Sequence, residues 1–413
     1  MSFIYNCSVY IVCFFLKIVA LFNKKLSLFV NGRKNVFSFL QQNKLTDANV
    51  IWVHTASLGE YEQGLPVIEK LKKEYPTYKI LVTFFSPSGY EVKKDSKIAD
   101  YITYLPLDTK SNAKKFLALV NPKLVIFVKY EIWPNYLNEL HELKIPTLLI
   151  ASLFKERQLF FKSYGGFMKK SLEAFSYFFV QNENSKKLLA SIGFTNVSVG
   201  GDTRFDRVLE ILERDNQIEF MDDFKGRHSC FVAGSTWPED EAIIVDFINS
   251  SNVELKYVLA PHTIKKEAML KLKTSISKKT ILYSELNKQN ISDFDVLILD
   301  TIGILTKVYS YAAIGYVGGA FATGLHNTLE PAVFEIPVII GPDYSGFKEA
   351  EDLVAKKGVI SISNKQEFTL EVLKLLENPS HYKTTSLINK NYISQNSGAT
   401  KKVIDYISLE ILN

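Results

Sequence analysis

Cysteine is scarce: three residues in 413, and no Cys-x-x-Cys pair. That count excludes a disulfide framework and a cysteine-built zinc site. Cys7 and Cys13 stand in an apolar stretch and Cys230 opens a predicted strand, which are the positions of ordinary buried or lipid-facing thiols in a reducing compartment. Low-complexity tracts and repeats of about 20–50 residues are missing, which excludes a solenoid or an array. Acidic residues are missing from the first 46 positions altogether. No basic residue precedes the first apolar run and no small-x-small site follows it, so a cleaved signal peptide is not expected.

What remains is an ordinary globular composition. Apolar residues make up 47%, charged residues 23% and aromatic residues 13%, which rules out a disordered or collagen-like chain. At ~150 residues per domain the length predicts two or three domains. The net charge of +5 is a local property. Lys17, Lys24, Lys25, Arg33, Lys34 and Lys44 precede the first acid, Asp47; without those six the chain carries 43 basic against 44 acidic residues. A broad nucleic-acid footprint is therefore not expected, and an arm that meets an anionic membrane surface is.

That arm begins with residues 3–22, FIYNCSVYIVCFFLKIVALF, about long enough to span a bilayer. Asn6, Ser8 and Lys17 weaken a spanning role, so a spanning anchor, an interfacial anchor and a hydrophobic helix packed on the body all stay open. The basic cluster that follows would leave the body on the cytoplasmic side.

From Asn49 onward short β-rich runs alternate with helical stretches. Strands are expected at 50–54, 79–84, 101–104, 124–128, 147–150 and 177–180, and again at 230–233, 257–260, 280–283, 296–299, 314–317 and 338–340. Helices are expected at 61–74, 133–143, 239–248 and 265–275. Strand–helix–strand spacing of this kind is the mark of parallel βαβ units, here in two α/β doubly wound halves. The expected division is an anchor and basic arm at 1–46, a first Rossmann-like lobe at 47–205, a second at 206–385, and a C-terminal helix at 386–413 that packs back on the first lobe.

Open parallel sheets bind ligands at the carboxyl ends of their strands. After the first strand comes His54-Thr55-Ala56-Ser57-Leu58-Gly59-Glu60. Ser57 and Glu60 have the spacing of a capping box, and Gly59 allows close backbone approach to a ligand. Glu60 is equally a carboxylate placed to take a proton from an alcohol. After the fourth strand Glu131 is expected at a helix start, with Pro134 in the first turn, as a favourable acid there or as a second site carboxylate. Ser235 and Thr236 end a strand before Pro238, a composition that suits a phosphate or simple N-capping. His262 follows the next strand. Gly318, Gly319, Gly324, His326 and Asn327 form an anion cradle that leads into a helix, and Glu330, one turn in, is placed for ribose hydroxyls. Asp293-Phe294-Asp295 has a metal-binding spacing but precedes a strand, at the wrong end of the sheet, so no metal is expected there.

The ordered set HTASLGE, YEIWPN, GDTRFD, AGSTWPEDE and GGAFATGLHNTLEP, beside an N-terminal membrane segment, resembles the 3-deoxy-D-manno-octulosonic acid (Kdo) transferases of lipopolysaccharide synthesis. The resemblance implies a GT-B architecture of two Rossmann-like lobes with the active site between them. It implies inverting transfer of Kdo from a CMP-Kdo donor to a lipid A precursor acceptor at the cytoplasmic face of the bacterial inner membrane, with no metal and no cofactor. Glu60 falls on the family's general base and Glu131 on a second essential acid. Ser57, Gly59, Ser235, Thr236, His262, Gly318, Gly319, Asn327 and Glu330 fall on donor-binding segments. Three positions depart from the pattern. Ala260-Pro261-His262-Thr263 lacks the arginine of Pro-Arg-His, Gly201-Asp202-Thr203-Arg204-Phe205-Asp206 stands for Gly-Asn-x-Lys-Phe-Asp, and Gly303-Ile304-Leu305 for Gly-Glu-Leu. Arg204 and Lys265 are the candidates for the missing phosphate contact. Another GT-B nucleotide-sugar transferase or epimerase would share the glycine loops, and a catalytically silent membrane-tethered binding protein would have no use for Glu60 and Glu131.

Overall fold

The strand sequences are apolar at successive positions rather than alternate ones, the pattern of parallel strands covered on both faces. The computed structural model describes residues 2–288 and 290–412 and folds them into two seven-stranded parallel sheets. Each sheet belongs to its own compact unit, the first made of Met1–Arg207 with Ser397–Asn413 and the second of Val208–Asn396.

The first unit opens with three helices, α1 (Ser2–Val19), α2 (Lys24–Asn31) and α3 (Val36–Gln42). Among the described residues no helix is long and apolar enough to cross a membrane. At 1.5 Å per residue α1 measures about 27 Å against a hydrocarbon core of ~30 Å. The helical path then breaks at Asn23, whose side chain accepts from the Leu26 amide at 3.1 Å and starts α2. Tyr5 donates to Asp108 at 2.6 Å and ties α1 to the body, while Phe3, Ile11, Phe14, Phe15 and Phe22 face solvent. Arg33 corrects the reading of the basic cluster, because it does not serve the surface. Its guanidinium donates to the carbonyls of Leu105, Phe29 and Phe85 and lies against the Phe29, Phe85 and Tyr104 rings. Burial lowers its pKa to about 10.

The first sheet comprises β1 (Val50–Thr55), β2 (Lys79–Phe84), β3 (Tyr101–Tyr104), β4 (Pro122–Val128), β5 (Thr147–Ser152), β6 (Tyr177–Val180) and β7 (Val197–Val199), in the order β3-β2-β1-β4-β5-β6-β7. Val50, Trp52, Val125 and Phe127 point into one core, with Val36 and Leu40 of α3. Ile51, Val53, Ile126 and Val128 point into the other, which is covered by Leu65 and Ile68 of α4 (Leu58–Glu74) and by Val403, Ile404 and Ile407 of the helix Ala399–Glu410. The strand order reverses between β1 and β4, and open parallel sheets bind their ligands outside the strand ends at such a point.

The second sheet comprises β8 (Ser229–Thr236), β9 (Leu255–Pro261), β10 (Thr280–Leu282), β11 (Val296–Ile298), β12 (Ile314–Val317), β13 (Val338–Ile340) and β14 (Val359–Ser361), in the order β10-β11-β9-β8-β12-β13-β14. Its reversal point lies between β8 and β12. Cys230 is fully buried in this sheet and burial pushes its thiol up to about 12, as suits an inert core residue. Sequence patterning does not anticipate β7 or β14. Both are three-residue edge strands, too short to show a period.

Candidate functional site

In the first unit the informative loops follow β1 and β4, the two strands at the reversal point. Ser57 occupies the N-cap of α4 in extended conformation but makes no capping bond, so the expected capping box does not form. Its hydroxyl donates instead to Glu60 Oε2. The two groups are thereby joined at the open end of the helix. A β-carbon at Gly59 would meet only Ser57 Oγ, at 3.8 Å, so the fold does not itself require this glycine and the space above it is clear.

Glu131 differs from expectation in position. The helix starts at Pro134, with Trp133 as its N-cap, and Glu131 lies in the preceding turn, which begins with Lys129 at φ +73. Glu131 is therefore not a helix-end acid. Its Oε2 lies 3.2 Å from His54 Nε2 and accepts from Trp133 Nε1 at 2.8 Å. Tyr130 stands between the two carboxylates in the chain. Its hydroxyl pKa is raised by burial first, then by the charges of Asp202 and Glu60. Arg204 is engaged with buried Asp202, its Nε and Nη2 each 2.9 Å from Oδ2. Asp202 is held in turn by Gln63 Nε2 at 3.1 Å. Glu60, Tyr130, Asp202 and Arg204 thus form one electrostatic neighbourhood in the first unit.

In the second unit the loops after β8 and β12 are stitched together by Asp240. This buried carboxylate accepts from Trp237 N at 2.8 Å, Gly319 N at 3.0 Å and the Tyr316 hydroxyl at 2.6 Å. Close approach explains the paired glycines. A β-carbon at Gly318 would lie 2.5 Å from Ser235 O, and Gly319 has φ +100 with Gly324 O 2.2 Å from where its β-carbon would be. Ser235 itself takes φ +53, a left-handed conformation rarely held by a residue with a side chain. The Thr236 hydroxyl donates to Glu241 at 3.1 Å, and burial raises the Glu241 carboxyl above its ordinary value. The helix Pro238–Ser250 carries Glu239, Asp240 and Glu241 in its first turn, so its positive end is answered largely by its own acids.

Three rings stack beside this loop pair. Trp237 and His262 are parallel with centroids 4.9 Å apart, and His326 sits 4.6 Å from His262 on a tilt of 30°. His326 Nε2 accepts from Trp237 Nε1 at 3.3 Å. The expected helix beginning at His326 and Asn327 is only Leu329–Ala332, four residues long. Asn327 closes its own turn by accepting from Leu329 N, and its amide donates to Glu330 Oε1 at 3.2 Å. Thr306 donates to Glu330 Oε2 at 2.9 Å. Glu330 is thus oriented with acceptor capacity to spare. Lys265 is the exposed N-cap of the helix Lys266–Ser275.

The site residues divide between the units. Ser57, Gly59, Glu60, Glu131 and Arg204 belong to the first, and Ser235, Thr236, His262, Lys265, Gly318, Gly319, Asn327 and Glu330 to the second. Sequence reasoning missed His54, Thr83, Trp133, Asp202, Trp237, Asp240 and Thr306. His54 and Trp133 stood inside motifs already singled out, and Asp240 follows the Ser235–Thr236 loop by one turn. Thr83 and Thr306 gave no signal, since their roles depend on partners distant in the chain.

The family model for 3-deoxy-D-manno-octulosonic-acid transferase (kdotransferase) matches residues 31–207. The 3-deoxy-D-manno-octulosonic acid transferase of Aquifex aeolicus is 30% identical over 334 residues, covering 79% of this chain and 86% of that one. The enzyme of the same name from Haemophilus influenzae is 26% identical over 372 residues, covering 86% of each chain. A bifunctional glycosyltransferase/methyltransferase of Fusobacterium nucleatum is 27% identical over 369 residues, and the chain spans 56% of its length. Among solved structures, the UDP-GlcNAc 2-epimerase of Neisseria meningitidis has a TM-score of 0.62 at 17% identity, covering 87% of this chain and 99% of that one. MurG of Acinetobacter baumannii has a TM-score of 0.52 at 14% identity, covering 87% and 99%. These last two are likenesses of fold alone, of the GT-B kind. With its strand-end carboxylates, its glycine loops and its sequence relatives in agreement, the chain belongs to the 3-deoxy-D-manno-octulosonic acid transferase family of glycosyltransferases.

Proposed function

We propose that this chain moves Kdo from CMP-Kdo to a lipid A precursor, lipid IVA, with inversion at the anomeric carbon. In this reading the second unit takes the donor. Glu330, steadied by Thr306 and Asn327, receives the ribose hydroxyls, and the loops of Ser235–Thr236 and Gly318–Gly319 receive the phosphate. The first unit takes the acceptor, and Glu60 removes the proton of its primary hydroxyl as that oxygen attacks the anomeric carbon. The bond from that carbon to the phosphate oxygen breaks, and its electron pair leaves with CMP. Negative charge on the departing phosphate is met by backbone donors of the two loops and by cations such as Lys265. No metal ion or cofactor has a part in this reading.

The observation that carries the proposal is Glu60 itself, half-buried, joined to the Ser57 hydroxyl and next to the uncrowded Gly59 in the first turn of the helix that follows β1 at a reversal point. A carboxylate so placed can accept a second hydrogen bond from an incoming alcohol. The acceptor is amphiphilic, and α1 offers an exposed apolar face beside exposed Lys17, Lys24, Lys25 and Lys34. The reading therefore sets α1 in the interface of the cytoplasmic face of a bacterial inner membrane.

The test is incubation with CMP-Kdo and lipid IVA, with mass spectrometry of the lipid. Wild type should add Kdo, and Glu60→Gln should fall by about 10²–10⁴-fold. Equal rates would remove Glu60 from the reaction, and turnover of UDP-GlcNAc in place of CMP-Kdo would favour the epimerase reading. Co-sedimentation with anionic vesicles should be lost on deletion of residues 1–22; unchanged sedimentation would refute the interfacial role of α1.

A further inference from the structure

A chain of buried polar groups lies behind Glu131. Trp52 Nε1 donates to Thr83 Oγ1 at 2.7 Å, Thr83 Oγ1 lies 2.8 Å from His54 Nδ1, and His54 Nε2 lies 3.2 Å from Glu131 Oε2. Trp52, Thr83 and His54 are fully buried, whereas the Glu131 side chain keeps 11% of its surface exposed. The proton positions follow from what each group is able to do. Trp52 only donates, so Thr83 accepts from it. The Thr83 hydroxyl proton then needs an acceptor, and the one beside it is His54 Nδ1. His54 must therefore carry its hydrogen on Nε2, where it points at Glu131. The other tautomer would leave the Thr83 proton without a partner and set an imidazole lone pair against a carboxylate. With His54 Nε2 acting as donor, Trp133 Nε1 directs its hydrogen to Glu131 at 2.8 Å rather than to His54 at 3.1 Å.

One carboxylate oxygen is thus gripped by two ring N–H groups. Glu131 Oε1 makes no hydrogen bond among the described residues. We infer that His54 is a positioning residue of the transfer reaction, which locks Glu131 as a fixed acceptor whose Oε1 receives a substrate hydroxyl, and that Thr83 sets the tautomer that makes this lock work. Glu131 on this view orients substrate and donates no proton. The inference rests on the transferase reading, and only the tautomer of His54 is read independently of it.

Two measurements on the full chain test it. In protein carrying ¹⁵N-labelled histidine, with the His54 signal assigned by its loss in His54→Gln, the ring should show the Nε2–H form in wild type and shift toward a mixture in Thr83→Val. A wild-type Nδ1–H form overturns the inference, and this readout needs no substrate. In the Kdo-transfer assay, His54→Leu and Thr83→Val should lower kcat by about 10- to 100-fold with KM for both substrates within about threefold of wild type, the loss of one hydrogen bond to a charged group. His54→Gln places an N–H at the reach of Nε2 and should restore most of kcat. Equal loss in the Gln and Leu variants, or wild-type kcat in Thr83→Val, overturns the inference. If His54→Leu does not fold, the near-isosteric Thr83→Val decides. A wild type that moves no Kdo would defeat the transferase reading and leave the tautomer result standing on its own.

Discussion

Replacing Asp240 with alanine should damage the second unit more than any single surface change. The carboxylate is fully buried and serves three donors at once, Trp237 N, Gly319 N and the Tyr316 hydroxyl. Hydrogen bonds to a charged acceptor contribute about 1.5–3 kcal/mol each. Three lost together would exceed ~4.5 kcal/mol, but water entering the vacated site recovers part of the bonding, and we expect a net loss of about 3–4 kcal/mol. For a unit of this size each kcal/mol moves Tm by about 2–4 °C, so the expected drop is about 6–16 °C. Asp240→Asn keeps the shape. Its carbonyl oxygen can accept from both backbone amides while its NH2 donates to Tyr316, whose hydroxyl then turns acceptor, for a loss of about 1 kcal/mol. Differential scanning calorimetry of the intact chain reads both variants. An alanine variant within about 1 kcal/mol of wild type would show that Asp240 does not hold the two loops, and an asparagine variant that melts with the alanine one would refute the exchanged bonding at Tyr316.

Two further outcomes follow from other sites. Arg33→Met removes the donor to three carbonyls, Leu105, Phe29 and Phe85, and should loosen the arm by about 1–3 kcal/mol; limited proteolysis should then cut within residues 20–46 sooner than in wild type, and an unchanged cleavage rate would refute the inward role of this arginine. Burial, and next the facing His262, hold the His326 imidazole below its ordinary value, with Asp240 opposing. A histidine that binds its proton less readily folded than unfolded gives its full stability above the unfolded value of about 6.5 and withdraws it as pH falls below. Tm should therefore decline on acidification below about pH 6.5 in wild type and less steeply in His326→Gln, and parallel profiles would refute the assignment.

The sheets were legible because their strands are continuous apolar runs bounded by turn residues, a pattern that parallel strands covered on both faces impose. Val197–Val199 and Val359–Ser361 were not, since a three-residue edge strand is fixed by its neighbour rather than by its own sequence. The carboxylates of Glu60 and Glu131 were legible from their place after strands, but their surroundings were not. Local spacing offered Ser57 and Glu60 as a capping box, and the fold turned the Ser57 hydroxyl onto the Glu60 carboxylate instead. Local spacing offered Glu131 as a helix-end acid, and a residue 77 positions away, His54, became its partner. Arg33 looked like surface charge because it stands beside Lys34 in an arm with four more lysines and no acid before Asp47. Three aromatic rings and three carbonyls drew it inward, which no count of charges can foresee.

The covering of the first sheet by residues 399–410 sets an order of events during synthesis. Val403, Ile404 and Ile407 close one flank of a core whose strands all precede residue 200. A nascent chain must therefore expose that flank while the whole of Val208–Asn396 is being translated, and the later-made body can finish folding before the earlier one does. Cells that make this protein would need to shelter an uncovered apolar surface on the ribosome until the last turn of helix arrives.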